Sequence, residues 1–350
     1  MKTEIDSHRF GYHPRRVADW LEGEKVYPIY VEAGLTNRCN NKCVFCALDW
    51  ISKDKTDINR ASMLSALEDM AQNGVKSIMF AGEGEPFLHR DAPLFVQHAK
   101  KCGLDVAVTT NGSVFDEEKA KRCLPYLSWI RFSVDAGTNE TYSKVHGTTK
   151  ENFDKVLANI TRAADIKKRN KLDVTIGLQA LLIPQNVDEI ELLARLAKEI
   201  GADNLQVKPY SQHPLSKNKF SVDHASLEGL EQRLSKLNDK NFQVLYRTDT
   251  MKRIEEGISY KKCYGLSFFT LIDSKGNVMP CNLYYDNPRF FYGNLYKNTF
   301  SEIWQGKQRQ KVLSLLNKNG TEKCRYGCRL DAGNRYLAKL KNPPAHVNFI

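Results

Sequence analysis

Three cysteines in the N-terminal part of the chain stand at a spacing that suits an iron–sulfur cluster. Cys39, Cys43 and Cys46 follow a C-x3-C-x2-C pattern directly after a strand-like run at 27–35. Three thiolates can hold three irons of a four-iron cubane and leave the fourth iron open, where a small molecule can bind and react. Structural zinc takes four ligands, and this loop offers no fourth Cys or His, so a zinc site is a weaker alternative. Three cysteines that bind no metal are the other weaker alternative.

A second group of cysteines lies in the last quarter of the chain, at Cys263, Cys281, Cys324 and Cys328. Four thiolates suit one fully ligated four-iron cluster, and two pairs of cysteines also suit a tetrahedral zinc ion. Both alternatives stay open at this point. Cys102 and Cys123 fall in predicted helices and are interpreted as small core residues.

Charge and length limit the classes of partner. The 350 residues carry 52 Lys and Arg against 41 Asp and Glu, a net charge of +11, which favours acidic partners such as a phosphorylated substrate or an acidic electron carrier. The basic run at 167–171 is typical of a helix end, so nucleic acid is not expected. No apolar stretch approaches the roughly 20 residues of a membrane span, and no signal sequence is evident, which predicts a cytoplasmic protein without membrane contact.

The elements that must position these residues alternate between strand and helix. Strands are predicted at 28–35, 76–82, 104–110, 128–135, 173–181 and 204–209. Helices are predicted at 61–73, 90–102, 116–124, 150–168, 187–200 and 223–238. This order predicts an α/β fold with a partial (β/α)6 TIM-like barrel. The predicted domains are an N-terminal arm at 1–27, the barrel at 28–245, and a small α+β domain with the tail at 246–350.

The inward face of the predicted barrel is polar. In the fourth strand, Arg131, Ser133 and Asp135 alternate with apolar neighbours, and Gln179 and Lys208 stand on the corresponding face of the next two strands. A lumen filled only by packing would be branched and apolar. We therefore expect this lumen to hold a hydrophilic ligand.

Taken together, the cysteine loop and the strand-end motifs resemble the radical SAM superfamily. Gly82, Glu83, Gly84, Glu85 and Pro86 are similar to the family's Gly-Gly-Glu-Pro motif, with Glu83 a departure from the common form. The resemblance implies an S-adenosylmethionine bound at the open iron of a [4Fe-4S] cluster. The positions that it assigns to cofactor binding end the second to fifth strands: Gly82, Glu83, Gly84, Glu85, Asn111, Ser133, Asp135 and Gln179.

The C-terminal cysteines add a second resemblance. Cys263 and Cys281 flank a predicted hairpin at 268–279, a single helix is predicted at about 299–316, and Cys324 and Cys328 follow. This arrangement is similar to the Twitch form of the SPASM auxiliary domain. It implies that Cys263, Cys281, Cys324 and Cys328 hold a second, auxiliary [4Fe-4S] cluster.

The resemblance also implies a reaction. Reductive cleavage of S-adenosylmethionine would give a 5′-deoxyadenosyl radical that takes a hydrogen atom from the substrate, with the auxiliary cluster accepting an electron. Lys208, Tyr210 and His213 follow the sixth strand and are the catalytic candidates, on reach alone. A flavodoxin- or ferredoxin-like protein is the expected reductant.

Two classes of substrate fit this reaction. One is a small hydroxylated molecule, such as a sugar, nucleotide sugar or aminocyclitol, and the other is a ribosomally made peptide. Peptide-modifying members often carry an N-terminal leader-binding domain, and only about 27 residues precede the first strand, which favours the small molecule. A non-catalytic iron–sulfur or zinc protein is the third hypothesis, against which the polar lumen argues.

Overall fold

A mostly parallel sheet forms the centre of the molecule. The computed structural model describes residues 6–222 and 227–349, and in these segments the sheet has ten strands in the order β10-β9-β8-β1-β2-β3-β4-β5-β6-β7. Seven of them pair in parallel in chain order. They are β1 (Tyr30–Ala33), β2 (Ser77–Phe80), β3 (Asp105–Thr110), β4 (Trp129–Ser133), β5 (Thr175–Leu182), β6 (Asn204–Pro209) and β7 (Gln243–Tyr246). The predicted α/β class and all six predicted strands are confirmed.

Helices follow the strands along the chain. The described segments contain α1 (Pro14–Leu21), α2 (Arg60–Gln72), α3 (Ala92–Lys101), α4 (Glu117–Cys123), α5 (Asn139–His146), α6 (Glu151–Asn170), α7 (Ile190–Glu199), α8 (Leu230–Ser235), α9 (Thr248–Glu256), α10 (Phe300–Gln305), α11 (Lys307–Asn319) and α12 (Asp331–Lys341). None of them is long and apolar enough to cross a membrane.

The alternation along β4 separates the core from the lumen. Ile130 and Phe132 are buried in the main hydrophobic cluster with residues of α6, whereas Trp129, Arg131 and Ser133 on the other face stay partly accessible. Because successive side chains of a strand point to opposite faces, one strand serves both the apolar core and a polar interior. The predicted polar face is confirmed on this strand.

The C-terminal hairpin continues the barrel's sheet. The strand β8 (Phe269–Ile272) pairs in parallel with β1, and the antiparallel strands β9 (Asn277–Met279) and β10 (Gly293–Asn294) extend the same edge. The predicted hairpin is confirmed, and Gly276 in its turn has a φ of 77°. The predicted domain boundary at residue 245 falls inside β7, so the two predicted domains share one sheet; the domain division itself stays a prediction.

Two helix predictions need correction. The single helix expected at 299–316 is wrong: α10 and α11 are separate helices, because Gly306 between them has an extended backbone with φ −64° and ψ 152°. Of the helix expected at 223–238, residues 223–226 lie outside the described residues, and the described part contains only the short α8.

Candidate functional site

The three N-terminal cysteines come together in the loop after β1. Burial raises the pKa of the Cys43 thiol, and the negative charges of Cys39 and Cys46 raise it further. The Cys46 N–H donates to the Cys43 carbonyl at 3.1 Å, which turns the loop back on itself. Bound iron would stabilise thiolates that burial and mutual repulsion otherwise disfavour, so this group of sulfurs fits an iron–sulfur cluster.

A buried histidine contacts the middle cysteine. His146 at the end of α5 lies with Nδ1 3.2 Å from Cys43 Sγ and with Nε2 2.8 Å from the Val134 carbonyl. The ring of Phe45 packs edge-on against it at 5.4 Å. Burial lowers the pKa of His146 to about 4. A residue that contacts a metal ligand without binding the metal fixes the orientation of that ligand. The sequence did not predict the contact between His146 and Cys43, because it did not predict α5.

The glycine-rich segment after β2 packs tightly on the cysteine loop. A Cβ atom on Gly84 would collide with the carbonyl oxygens of Thr36 and Arg38, and the Glu85 N–H donates to the Arg38 carbonyl at 2.8 Å. Gly82 has a φ of 115°, a conformation that favours glycine. Gly84 is therefore required by the close approach of the loop that carries the cysteines, and Gly82 by its positive φ.

The carboxylate of Glu85 joins the motif after β2 to the turn after β3. It accepts hydrogen bonds from Thr110 Oγ1 at 2.6 Å, from the Asn111 N–H at 2.7 Å and from the Phe87 N–H at 3.1 Å. Asn111 Nδ2 in turn donates to Asn40 Oδ1 at 2.9 Å in the cysteine loop. The Glu85 carboxylate thus connects the segment after β2 to the turn after β3, and Asn111 connects that turn to the cysteine loop.

The carboxylate of Glu83 faces the C-terminal hairpin. It accepts a hydrogen bond from the Ser274 N–H in the β8–β9 turn, and its Oε1 lies against Gly34. Lys53 of the cysteine loop donates to the Glu83 carbonyl. Burial raises the pKa of Glu83 to about 7. The extra glutamate in the motif therefore connects the cysteine loop to the hairpin.

The raised pKa of Glu83 predicts a pH-dependent stability. Its pKa is 4.5 in an unfolded chain and about 7 when folded, so the folded state holds the proton more tightly and loses stability as pH rises through this window. Glu83→Gln stays neutral. We expect it to be more stable than wild type at pH 8, by at most about 3 kcal/mol, and to differ little at pH 4.5.

Thermal unfolding at several pH values measures this difference. The exposed Glu118→Gln serves as the matched control, because Glu118 forms a surface ion pair with Arg122. A stability difference between Glu83→Gln and wild type that does not change with pH would contradict the assignment.

The predicted cofactor residues of β4 and β5 lie side by side. Ser133 pairs with Gln179 in the sheet, and Gln179 Oε1 accepts a hydrogen bond from Lys208 Nζ at 3.3 Å. Asp135 has a φ of 58°, and its Oδ1 accepts from the Leu181 N–H at 2.7 Å. Burial raises the pKa of Asp135 to about 7. The ends of β4, β5 and β6 thus meet at one polar position of the lumen.

All four C-terminal cysteines line one cavity. Its volume is 180 Å³, and Lys208 of β6 lies on its wall together with Cys263, Cys281, Cys324 and Cys328. Burial raises the pKa of Cys263, and the charges of the other three thiols also raise it. Asn334 Nδ2 of α12 donates to Cys263 Sγ at 3.2 Å. The shared cavity and the mutual charge effects fit a group with four thiolate ligands.

A cluster and a single metal ion differ in the spacing of their ligands. Among the described residues, no group of three or more His, Cys, Asp or Glu side chains is placed to hold one metal ion. In a four-iron cluster each thiolate binds a different iron, so the sulfurs stand farther apart than they do around one ion.

The three catalytic candidates occupy different places. Lys208 lies in the lumen, whereas Tyr210 lines a separate cavity of 920 Å³ beside it. His213 is buried, stacks on Trp50 at 5.6 Å, and accepts a hydrogen bond from the Leu215 N–H through Nδ1. Of the three, Lys208 is the one that lines the cavity of the C-terminal cysteines.

Two family models match the chain. The radical SAM superfamily model matches residues 34–197, and the SPASM model, described as an iron-sulfur cluster-binding domain, matches residues 263–329. The first contains Cys39, Cys43 and Cys46, and the second contains the four C-terminal cysteines. The first domain implies a [4Fe-4S] cluster with S-adenosylmethionine, and the second implies auxiliary iron–sulfur ligation.

Among curated proteins the chain is similar to enzymes named "Probable GTP 3',8-cyclase". The protein of Metallosphaera sedula is 29% identical over 220 residues, which are 61% of this chain and 67% of that protein. The protein of Saccharolobus islandicus is 27% identical over 208 residues, which are 59% of this chain. The chain spans 64% of the length of that second relative.

Solved structures share the fold. Streptococcus suis SuiB bound to S-adenosylmethionine matches with a TM-score of 0.64 and 17% identity, over 87% of this chain and 72% of that one. The enzyme anSMEcpe with bound AdoMet matches with a TM-score of 0.59 and 18% identity, over 90% of this chain and 99% of that one. The motifs, the partial barrel and both family models agree: the chain contains a radical SAM domain at residues 34–197 and a SPASM iron–sulfur cluster-binding domain at residues 263–329.

Proposed function

We propose that this protein is a radical SAM enzyme that oxidises a small hydroxylated substrate, of the sugar, nucleotide sugar or aminocyclitol type, in the lumen of the barrel. The observation that carries the proposal is the position of Lys208. It contacts Gln179 on the cofactor side of the lumen and lines the cavity of the C-terminal cysteines. Lys208 therefore lies between a residue proposed to bind the cofactor and the cavity of the C-terminal cysteines.

The two cysteine groups have different proposed roles. We propose that Cys39, Cys43 and Cys46 hold the first cluster and that Cys263, Cys281, Cys324 and Cys328 hold the second. When bound, the first cluster and S-adenosylmethionine supply a 5′-deoxyadenosyl radical that removes a hydrogen atom, and the second supplies an electron acceptor.

We assign the cofactor's surroundings to the residues at the strand ends. The residues proposed to bind S-adenosylmethionine are Gly82, Glu83, Gly84, Glu85, Asn111, Ser133, Asp135 and Gln179. The contacts of Glu83 and Glu85 to the hairpin and to the turn after β3 favour a positioning role for these two carboxylates, with backbone atoms of the glycine-rich segment facing the cofactor.

Oxidation of a C–H bond beside a hydroxyl removes a hydrogen atom, an electron and a proton from the substrate. Lys208 is the proposed proton acceptor. Burial lowers its pKa well below the ordinary value, and the charges of Arg131, Arg247 and other arginines lower it further. A neutral amine in the lumen can accept the hydroxyl proton, and Tyr210 and His213 lie outside the cavity that Lys208 lines.

A peptide substrate is the second candidate, which the size of the neighbouring cavity favours. This 920 Å³ cavity shares Ser211, Leu283 and Cys324 with the lumen cavity, so a long substrate could enter through it. The named activity of the curated relatives, cyclisation of a nucleotide, favours the small molecule instead. A flavodoxin- or ferredoxin-like carrier is the proposed reductant, since the net charge of +11 favours an acidic partner.

Substrate panels distinguish these candidates. The reconstituted protein, S-adenosylmethionine and dithionite are incubated with nucleotide sugars, sugar phosphates and aminocyclitols, or with a peptide library. We expect a small hydroxylated compound to accelerate 5′-deoxyadenosine formation and to lose two hydrogens by mass spectrometry. If only a peptide does so, the protein is a peptide maturase and the proposed substrate class is wrong.

A further inference from the structure

One side chain of α12 donates a hydrogen bond to a sulfur of the C-terminal cysteine group. Asn334 is fully buried, and its Nδ2 lies 3.2 Å from Cys263 Sγ. Its Oδ1 accepts a hydrogen bond from the Gly265 N–H at 2.7 Å. Because a backbone N–H can only donate, the contact with Gly265 identifies the amide oxygen and directs the NH2 group of Asn334 to the sulfur.

The packing around Asn334 keeps this amide in place. A Cβ atom on Gly265 would lie 3.4 Å from Asn334 Oδ1 and 3.3 Å from Leu330 Cβ, so the turn that follows Cys263 packs directly on α12. The Asn334 N–H donates to the Leu330 carbonyl at 2.7 Å, near the start of the helix. A donor that is held in advance needs no rearrangement when the charge on the sulfur changes.

Backbone groups donate to two other sulfurs of the C-terminal group. Burial raises the pKa of Cys281 to about 12, and a hydrogen bond from the Leu283 N–H opposes this increase. Burial likewise raises the pKa of Cys328, and the Leu330 N–H opposes that increase. These two donors belong to the backbone, so side-chain substitutions leave them in place. The amide of Asn334, in contrast, is a donor that a single substitution removes.

We propose that Asn334 raises the reduction potential of the auxiliary cluster through its hydrogen bond to the Cys263 sulfur. Hydrogen bonds to the ligand sulfurs are among the factors that set the potential of an iron–sulfur cluster. Reduction adds one electron and makes the sulfurs more negative, so a donor stabilises the reduced form more than the oxidised form. In the proposed reaction that electron comes from the substrate radical, which is oxidised as the cluster is reduced.

Asn334 is thus a positioning residue that acts through Cys263 and touches neither substrate nor cofactor. The inference rests on the proposed function, since it takes the four C-terminal cysteines as ligands of one four-iron cluster. It adds a reason why this cluster accepts an electron, namely a buried amide that favours its reduced form.

Two substitutions separate the donated hydrogen bond from the packing of Asn334. Asn334→Asp keeps an oxygen for the Gly265 N–H, removes the NH2 donor and adds a negative charge. Asn334→Leu is similar in size and removes both hydrogen bonds. The matched control is Asn342→Asp at the exposed C-terminal cap of α12, where the same exchange adds the same charge about 12 Å farther along the helix.

The measurement is a redox titration of the reconstituted protein without oxygen, followed by electron paramagnetic resonance. It is repeated in a full-length background with the three N-terminal cysteines replaced by alanine, in which only the second cluster gives a signal. We expect Asn334→Leu to lower the equilibrium constant for reduction about tenfold, which is about 59 mV for one electron. Asn334→Asp should lower it at least as much, and Asn342→Asp should match wild type.

The outcomes decide whether Asn334 sets the potential. Equal potentials in wild type and both Asn334 variants, each with about eight irons per chain, overturn the proposal. A higher potential in Asn334→Asp overturns it as well. If Asn334→Leu loses the second cluster, Asn334→Asp decides, because it keeps the contact with Gly265. Loss of the cluster from both variants overturns the proposal, because Asn334 is then needed to retain the cluster rather than to set its potential.

Failure of the proposed function gives a different result. Wild-type protein with about four irons and no second signal removes the second cluster and the role of Asn334 with it. A potential that falls in the Asn334 variants of a protein that oxidises no small hydroxylated compound supports the role of Asn334 and removes the proposed substrate class.

Discussion

Replacing Cys43 by alanine is expected to abolish the formation of 5′-deoxyadenosine. Cys43 is the middle member of the N-terminal trio, and His146 Nδ1 lies 3.2 Å from its sulfur. Loss of an outer contact to a metal ligand costs about 10–100-fold, and loss of the ligand itself should cost about 1,000-fold or more. The measurement is 5′-deoxyadenosine by liquid chromatography after anaerobic reconstitution, with dithionite as reductant.

Cys102→Ala is the matched control, because Cys102 lies at the end of α3, away from both cysteine groups. The control should cleave S-adenosylmethionine at the wild-type rate. A folded Cys43→Ala protein that still cleaves the cofactor would show that this trio does not hold the reactive cluster.

Replacing Cys324 by alanine is expected to separate the two steps of the reaction. Cys324 lines the lumen cavity and the neighbouring 920 Å³ cavity, and it is proposed as a ligand of the second cluster only. Iron should fall from about eight to about four atoms per chain. Cleavage of S-adenosylmethionine should largely survive, whereas oxidation of the substrate should be lost, because its electron has no acceptor.

Iron analysis and the cleavage assay, run beside Cys102→Ala, measure both effects. Wild-type protein with about four irons and one zinc would contradict the second cluster. Loss of cleavage in Cys324→Ala to the same extent as in Cys43→Ala would contradict the division of roles.

The sequence predicts local features of this fold well, because they depend on neighbours in the chain. The alternation of Arg131, Phe132 and Ser133 predicts both the strand and its polar inward face. The cysteine spacing likewise predicts a loop that brings three sulfurs together, and Gly276 predicts the turn of the hairpin.

Contacts between distant segments are what the sequence does not predict. No local pattern shows that Phe269–Ile272 pairs with Tyr30–Ala33 or that Glu83 reaches the Ser274 N–H. The contact of His146 with Cys43 depends on a helix of eight residues whose position is set by packing.

Hydrogen bonds connect the cysteine loop to the C-terminal hairpin through the segment after β2. Lys53 of the cysteine loop donates to the Glu83 carbonyl, and the Ser274 N–H of the hairpin donates to the Glu83 carboxylate. The loop that carries Cys39, Cys43 and Cys46 is thus connected to the hairpin that Cys263 and Cys281 flank.

Cleavage of S-adenosylmethionine by the wild-type protein tests the proposed function most directly. The protein is purified and reconstituted without oxygen, its iron is counted, and it is incubated with dithionite and S-adenosylmethionine. We expect equal amounts of 5′-deoxyadenosine and methionine from protein that contains about eight irons per chain. Protein with both clusters intact that forms no 5′-deoxyadenosine would contradict it.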